Sequence, residues 1–204
     1  TPEKLWKALA QSRAITISHH VGGGPIPADW DYYSHDLEPV VEICSIHGNS
    51  EYYGCPMCIY RPRRGCFVQD ALERGYHLGF IGGGDTHNSH PGHGDPMSPI
   101  GGITGFYAER LSRKSLWNAL KSRHTYATTG SRLILQVQID SAMMGDTVSI
   151  QQATGNTIDI TVDSGEIISD ISVIRNNKTY RTVTPGTRQY FQSVALPDDL
   201  SAGD

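Results

Sequence analysis

The sequence lacks any long apolar run. None of its apolar stretches approaches the roughly 20 residues that span a bilayer. Its first residues, TPEKLWKALA, also lack the basic and apolar regions of a signal peptide. We therefore expect no membrane partner, and both a cytoplasmic and an exported location stay open.

The chain also lacks an excess of positive charge. Its net charge is −4, and residues 132–204, with five Lys and Arg against nine Asp and Glu, carry all of it. Such a surface does not attract a polyanion, so we expect no nucleic acid among the partners. With 38% hydrophobic and 19% charged residues in a chain of 204, the composition is typical of a globular protein.

Cysteine is scarce, and nothing assigns the four cysteines to catalysis. Cys55, Cys58 and Cys66 lie in the segment GCPMCIYRPRRGC, and Cys44 precedes them. A Cys-x-x-Cys pair is a common half of a structural zinc site, which Cys66 would extend together with Cys44 or a histidine. A disulfide in an exported protein and ordinary thiols are the two other interpretations.

Histidine is absent after His124, and eight of the nine histidines precede residue 94. Two glycine triplets, at 22–24 and 82–84, fall in the same part of the chain. We therefore look for chemistry in the first part.

The apolar pattern of residues 1–131 predicts helices that alternate with short strands. One helix is expected to begin at Thr1 and Pro2, a second to end at Gly75, and a third to begin after Ser112. The buried face of the first helix is expected at Leu5, Trp6, Leu9 and Ala10. Strands are expected at 14–18, 39–44, 76–81 and 101–107. This alternation predicts an α/β fold with a parallel sheet and crossover helices.

Beyond Arg132 the apolar period changes from 3.6 to 2. Residues 133–139 and 158–162 alternate between apolar and polar side chains, as half-buried antiparallel strands do. Turn residues at Asn176-Asn177 and Pro185-Gly186 separate further short apolar runs. The sequence therefore predicts a small antiparallel β domain, sandwich-like and truncated, over 132–204, with a boundary near Ser131.

Metal-ligand side chains follow three of the predicted strands. They are His19 and His20, then Glu42 with His47, then Asp85 and His87. Because the carboxyl ends of parallel strands meet at one edge, we expect these side chains to converge on a metal site. Imidazole and carboxylate groups hold divalent ions, which lower the pKa of a bridging water. Asp85 would bridge two ions and His87 would cap one of them.

Each of these motifs also has a structural interpretation. A His-His pair is often part of a surface loop, Glu42 could face solvent at a sheet edge, and Asp85 could cap a helix. Among the other histidines, His35, His77 and His124 are interpreted as structural. His90 and His93 lie in a Pro and Gly loop typical of exposed positions.

Four segments carry a resemblance to a known family. They are AITISHHVGG, VVEICSIHGNSEYYG, DALERGYHLGFIGGGDTHNSHPG and GGITGFYAERLSRKSLWNALKSRHTYATTGSR. In this order they resemble the later half of a domain of the PHP (polymerase and histidinol phosphatase) superfamily. More narrowly, roughly residues 1–145 are similar to large, uncharacterised bacterial PHP-like proteins. The Asp-x-His ending after the glycine run and the segment TYATTG are the most specific parts.

The resemblance implies the C-terminal half of a distorted (β/α)7 barrel over 1–131. It also implies two or three zinc, manganese or iron ions at the carboxyl ends of the strands. His19 with His20, Glu42, and the closing pair Asp85 and His87 would be ligands, the last two with a catalytic role. The implied activity is hydrolysis of a phosphate ester in a small-molecule substrate.

One departure from the family pattern is the absence of any His-x-His motif. The resemblance therefore implies a fragment whose N-terminal half supplies further ligands. Because a half barrel leaves sheet edges unpaired, we expect that half or a second copy of the chain to cover them. We expect the activity in the full-length parent and leave open whether the fragment is active.

Two alternative functions stay open. The same bridging hydroxide could cleave a non-phosphate bond such as an amide. Arginines near the site would favour phosphate, and Arg61, Arg63, Arg64 and Arg113 are the candidates. Otherwise, the chain is a binding or structural module whose β-rich tail recognises a glycan or a protein through Tyr180, Tyr190 and Phe191.

Overall fold

The computed structural model describes residues 1–87, 101–149 and 157–196, and the chain divides into two compact units, 1–130 and 131–204. Most of the regular structure is β-strand in small sheets, and 13% of the described residues are helical. None of the helices in these ranges is long and apolar enough to cross a bilayer.

The first unit combines short helices and short strands in its described part. The helices are α1 (Pro2–Leu9), α2 (Val68–Glu73) and α3 (Arg113–Lys121). The strands are β1 (Val40–Ser45), β2 (Gly48–Asn49), β3 (Gly79–Gly82), β4 (Ile103–Phe106) and β5 (Thr125–Thr128).

The three helices begin or end at the predicted positions. Thr1 precedes α1 with Pro2 in the first turn. Gly75 takes a left-handed φ of +79° just after α2, and the Ser112 hydroxyl accepts a hydrogen bond from the Ser115 amide at the start of α3. The predicted buried face of α1 is wrong, because no residue of α1 is buried.

The central sheet of the first unit has the strand order β2-β1-β3. β1 runs parallel to β3, with Val40 opposite Gly79, and antiparallel to β2 through a tight hairpin. The predicted strand at 14–18 is reduced to a single bridge from Ser18 to Val41. This sheet therefore brings the segment after Ser18, the β1–β2 turn and the end of β3 close together.

The prediction of an α/β fold with half of a (β/α)7 barrel is wrong. Helices are few, and the strands of the described residues form small sheets without a closed barrel. The predicted strand 101–107 and the helix after Ser112 were expected to continue a parallel sheet, but β4 pairs antiparallel with β5, with Ile103 opposite Thr128. Since the chain returns beside β4 in the opposite direction, α3 is not a crossover helix between parallel strands.

Trp30 and Phe67 connect the core of the first unit to its loops. Val21, Trp30 and Val41 pack with α2 in one buried cluster, and the Trp30 indole N–H donates to the Phe67 carbonyl at 2.9 Å. The Phe67 ring is fully buried, and a Cβ added at Gly22 would lie 2.6 Å from it. Glycine at position 22 therefore allows the loop that follows His20 to pass over this ring.

All regular secondary structure in the described part of the second unit is β-strand. They are β6 (Leu133–Ile139), β7 (Ala142–Met143), β8 (Thr157–Ile168), β9 (Ile171–Arg175), β10 (Lys178–Val183) and β11 (Thr187–Ala195). A four-stranded antiparallel sheet has the order β11-β8-β6-β7, and β9 pairs with β10. The predicted truncated end of this domain, residues 197–204, lies outside the described residues.

The second unit has its own small core. Ile160, Val162, Tyr190 and Val194 are buried in the four-stranded sheet, and apolar residues of β9 and β10 pack against them. Asn176 and Asn177 form the predicted turn between β9 and β10, both with left-handed φ values, as a two-residue hairpin turn requires.

Phe67→Ala tests the importance of the core beneath the loop after His20. Loss of a fully buried phenylalanine is expected to lower the free energy of unfolding by about 3–5 kcal/mol. Denaturant unfolding followed by tryptophan fluorescence measures this change for the first unit, which contains all three tryptophans.

Leu111→Ala is the control, because Leu111 is 93% exposed. Its free energy of unfolding should stay within about 0.5 kcal/mol of the parent value. Equal effects of the two substitutions would contradict the assigned core.

Candidate metal centre

Three segments bring candidate ligands to one edge of the sheet β2-β1-β3. His19 and His20 follow Ser18, whose carbonyl accepts the Glu42 amide of β1 at 3.0 Å. His47 lies in the β1–β2 turn, and Asp85 and His87 follow β3. Because β1 and β3 are parallel, the segments that follow them emerge at the same edge.

Asp85 lies at the centre of the cluster. Its carboxylate forms one group of three potential ligands with His19 and His20, and a second with His47 and His87. Within each group the potential ligand atoms lie within 4.8 Å of one another. The His47 Nε2 is 2.8 Å from Asp85 Oδ2, and the His87 Nε2 is 3.9 Å from Asp85 Oδ1.

Two atoms of this cluster are buried without a hydrogen-bond partner among the described residues, His20 Nδ1 and Asp85 Oδ2. The short contact between His47 Nε2 and Asp85 Oδ2 therefore lacks the alignment of a hydrogen bond. Unpartnered buried polar atoms cost free energy unless another group satisfies them. A buried imidazole nitrogen and a buried carboxylate oxygen without hydrogen-bond partners could both be satisfied as ligands of a divalent ion such as zinc, manganese or iron.

Glu42 holds the His20 backbone and belongs to neither group of three ligands. It is 6% exposed, and its Oε1 accepts the His20 backbone N–H at 3.0 Å. Burial, and to a smaller extent Asp85, raises the pKa of the Glu42 carboxyl. The Glu42 carboxylate thus positions the His20 backbone, and its predicted role as a metal ligand stays a prediction.

The backbone at His20 needs such support. Its φ of +35° lies outside the range that side chains with a Cβ normally adopt, and Asp85 has a φ of +43°. A Cβ added at Gly83 would lie 1.9 Å from Glu42 Oε2. Glycine at this position therefore makes room for the carboxylate that fixes His20.

Burial also affects the charge of His20. It lowers the pKa of this imidazole, and the neighbouring His19, whose ring centroid is 3.8 Å away, acts in the same direction. Asp85 and Glu42 oppose this shift. The net effect favours the neutral imidazole, which is the form that binds a metal.

Tyr60 lies next to the histidine and aspartate cluster, and it was not identified from the sequence. Its ring centroid lies 5.6 Å from that of His47. A Cβ built on Gly24 would lie 3.6 Å from the Tyr60 hydroxyl and 3.5 Å from His20 Nδ1. Tyr60 comes from the cysteine-rich segment, where no spacing or strand pattern relates it to the histidines.

The other histidines lie outside both groups of ligands in the described residues. His35 and His77 are near each other, with ring centroids 6.2 Å apart. The His124 backbone carbonyl accepts the Tyr107 amide. His90 and His93 lie outside the described residues.

The cysteines do not form a group of three metal ligands within the described part of the chain. The Cys44 thiol donates to the Thr128 carbonyl at 3.4 Å, and burial raises its pKa to about 11. Burial also raises the pKa of Cys55 and of Cys66. A structural zinc ion at Cys55, Cys58 and Cys66 stays a prediction.

The three aromatic residues of the tail do not form one surface. Tyr190 is buried in the core, whereas Phe191, its neighbour on β11, is 75% exposed. Successive side chains of a strand point to opposite faces, so these two cannot contact the same ligand. The third, Tyr180, is exposed on β10 and donates to the Ala195 carbonyl.

The fold and the site define a chain of two β-rich units with a histidine and aspartate cluster. The proteins to which it is similar are described as uncharacterised. Residues 93–170 match the family described as "Protein of unknown function (DUF3604)". An uncharacterized protein of Chlamydia muridarum is 32% identical and covers 89% of this chain. One of Chlamydia trachomatis is 31% identical and covers 97%. No solved structure matches.

The resemblance to the PHP superfamily is wrong. The family that matches is a different one, and no PHP family does. The aligned regions make up 32% and 34% of the two chlamydial proteins, so the chain spans about a third of their length. The individual ligand positions rest on the geometry described above.

Gly83→Ala tests the link between Glu42 and His20. The added Cβ should displace the Glu42 carboxylate from the His20 amide, which would remove a hydrogen bond to a buried carboxyl group. We expect the free energy of unfolding to fall by about 1.5–3 kcal/mol, as measured by denaturant unfolding.

Gly84→Ala is the matched control. A Cβ there has ordinary contact with Thr86 Cγ2 at 3.7 Å. Its effect should therefore be well below that of Gly83→Ala, and the reverse order would refute the positioning role of Glu42.

Proposed function

We propose that this chain supplies the metal site of a divalent-metal-dependent hydrolase that acts on phosphate esters. One observation carries the proposal: the carboxylate of Asp85 belongs to two groups of three potential ligands at once. A carboxylate has two oxygens and can contact two cations. One aspartate between two sets of imidazoles is therefore suited to a pair of ions.

The chemistry of such a pair follows from its charge. A divalent ion lowers the pKa of bound water and stabilises negative charge that develops on a phosphoryl oxygen. The protein residues have separate tasks. Asp85 and the four histidines would bind the ions. Glu42 orients the His20 backbone, and burial favours the neutral imidazole of His20. The four histidines are His19, His20, His47 and His87.

The backbone of Arg61 and of Arg63 lies beside the loop that follows His20, and this placement supports a phosphate ester rather than an amide as the proposed substrate. The Arg63 amide donates to the Gly22 carbonyl at 2.9 Å, and a Cβ on Gly23 would lie 2.8 Å from the Arg61 carbonyl. The hydrogen bond and the close approach at Gly23 show that the backbone of segment 61–63 packs against the loop that follows His20. Guanidinium groups near a metal centre suit the oxygens of a phosphate, and an amide carbonyl has no comparable negative charge.

Since the chain spans about a third of its chlamydial relatives, the remainder of a longer protein could complete the substrate pocket. Metal binding by the described residues and catalysis are therefore tested separately.

Metal binding is tested by titrating the metal-free chain with Mn²⁺ or Zn²⁺ in a calorimeter. We expect up to two bound ions per chain. Asp85→Asn should weaken both by at least about tenfold, since even loss of an outer-shell partner costs that much. His87→Ala should weaken one ion and leave the group of His19 and His20 intact.

His35→Ala is the control, because His35 is exposed and outside both groups. It should bind both ions as the parent does. If Asp85→Asn binds metal as tightly as His35→Ala, the proposed centre does not exist.

Catalysis is tested on the metal-loaded chain with chromogenic phosphate esters and, in parallel, chromogenic amides. We expect metal-dependent release of the phenol from the esters and a loss of at least about tenfold in Asp85→Asn. Cleavage of the amides alone would replace the phosphate ester as substrate class. No turnover of either by a chain with normal metal binding would overturn the catalytic part of the proposal.

A further inference from the structure

Cys55 and Cys58 are the end residues of a β-turn. Pro56 and Met57 form the turn, and Met57 has a left-handed φ of +50°. Proline at the second position and a positive φ at the third are the pattern of a type II turn, which brings its end Cα atoms within about 7 Å. A disulfide requires a Cα separation of about 4.4–6.8 Å.

The two thiols are neighbours across the turn. The Cys58 thiol contributes to the raised pKa of Cys55, and the Cys55 thiol donates to the Asn49 carbonyl oxygen at 3.4 Å. Cys66, the third cysteine of this segment, is buried next to the Arg64 carbonyl instead. Within the described ranges, no third metal ligand forms a group with the pair.

The accessibility of the two thiols differs in a way that suits stepwise oxidation. Cys55 is 4% exposed, whereas Cys58 is partly exposed. An external disulfide can therefore reach Cys58 but not Cys55. Cys55, across the turn, is close enough to react with whatever forms on Cys58.

We propose that Cys55 and Cys58 form a reversible redox pair that a small disulfide such as oxidised glutathione converts to a disulfide. The Cys58 thiolate attacks the oxidant, and a mixed disulfide forms as one glutathione leaves. The Cys55 thiolate then attacks the Cys58 sulfur and releases the second glutathione. Two protein thiols lose two protons and two electrons, and one glutathione disulfide becomes two thiols.

The turn is attached to the strand next to His47. The Met57 carbonyl accepts the Asn49 amide at 2.8 Å, and the Asn49 carbonyl accepts the Ile59 amide at 2.9 Å. Tyr60 is the next residue, and its ring contacts the His47 ring edge to face. A bond between Cys55 and Cys58 therefore restrains the backbone that supports β2 and Tyr60.

The test is oxidation of the reduced, metal-free chain in glutathione buffers of increasing oxidised fraction, followed by acid quench, alkylation and peptide mass analysis. We expect a peptide that spans 55–58 to lose the mass of two hydrogen atoms and to resist alkylation. Reduced dithiothreitol should restore it fully. This measurement needs no metal, so it can fail or succeed independently of the proposed hydrolase.

Two variants sharpen the result. Cys66→Ser should form the same intramolecular bond, whereas Cys58→Ser should form no disulfide at Cys55 and take up little glutathione there. Stable glutathionylation of Cys58 without closure, or pairing of Cys55 or Cys58 with Cys66, would overturn the proposal.

Hydrogen exchange of the oxidised and reduced parent chain tests the link to β2. We expect the amides of Asn49 and Ile59 to exchange several-fold more slowly after oxidation, while amides of β8 do not change. Equal exchange at Asn49 and Ile59 in both states would show that the bond forms without restraining this strand.

Discussion

The candidate metal centre depends on one hydrogen bond, from the His20 backbone amide to the buried carboxylate of Glu42. This bond joins the loop after Ser18 to β1 at the residue where the backbone takes a left-handed φ. The carboxylate fits only because Gly83, at the end of β3, has no Cβ. Three segments that are distant in sequence are thus fixed relative to one another by one polar contact and one missing side chain. Without the hydrogen bond to Glu42, no other contact described above would hold the His20 backbone in a conformation that histidine rarely adopts.

The two carboxylates of this region have different roles because their surroundings differ. Glu42 is almost fully buried and one of its oxygens is satisfied by a backbone amide, so it serves the protein structure. Asp85 is less buried, and one of its oxygens has imidazoles nearby but no aligned hydrogen bond. The two carboxylates repel each other, since Asp85 contributes to the raised pKa of Glu42. A cation bound at Asp85 would reduce that repulsion, which links metal binding to the ionisation of Glu42.

The sequence was sufficient to select five residues of the cluster, because local patterns determine where β1 and β3 end and which side chains come directly after them. His19, His20, His47, Asp85 and His87 were all chosen on that basis, and the structure brings their side chains together. The barrel could not be judged from local patterns, since whether β5 pairs parallel or antiparallel with β4 depends on how α3 packs. The positioning role of Glu42 depends on the space at Gly83, and the proximity of Tyr60 depends on a loop path. Neither the role of Glu42 nor the proximity of Tyr60 follows from a repeating pattern of apolar and polar residues in the sequence.

The number of ligands in each group bears on what the cluster can do. Structural zinc sites usually take four protein ligands and leave no coordination position open, whereas catalytic sites take three and keep one for water or substrate. Each group around Asp85 contains three in the described residues. Exposure varies across the cluster as well, since His19 and His87 face solvent while His20, His47 and Asp85 are partly buried. The exposed histidines are therefore on the side from which the proposed substrate would approach a bound ion.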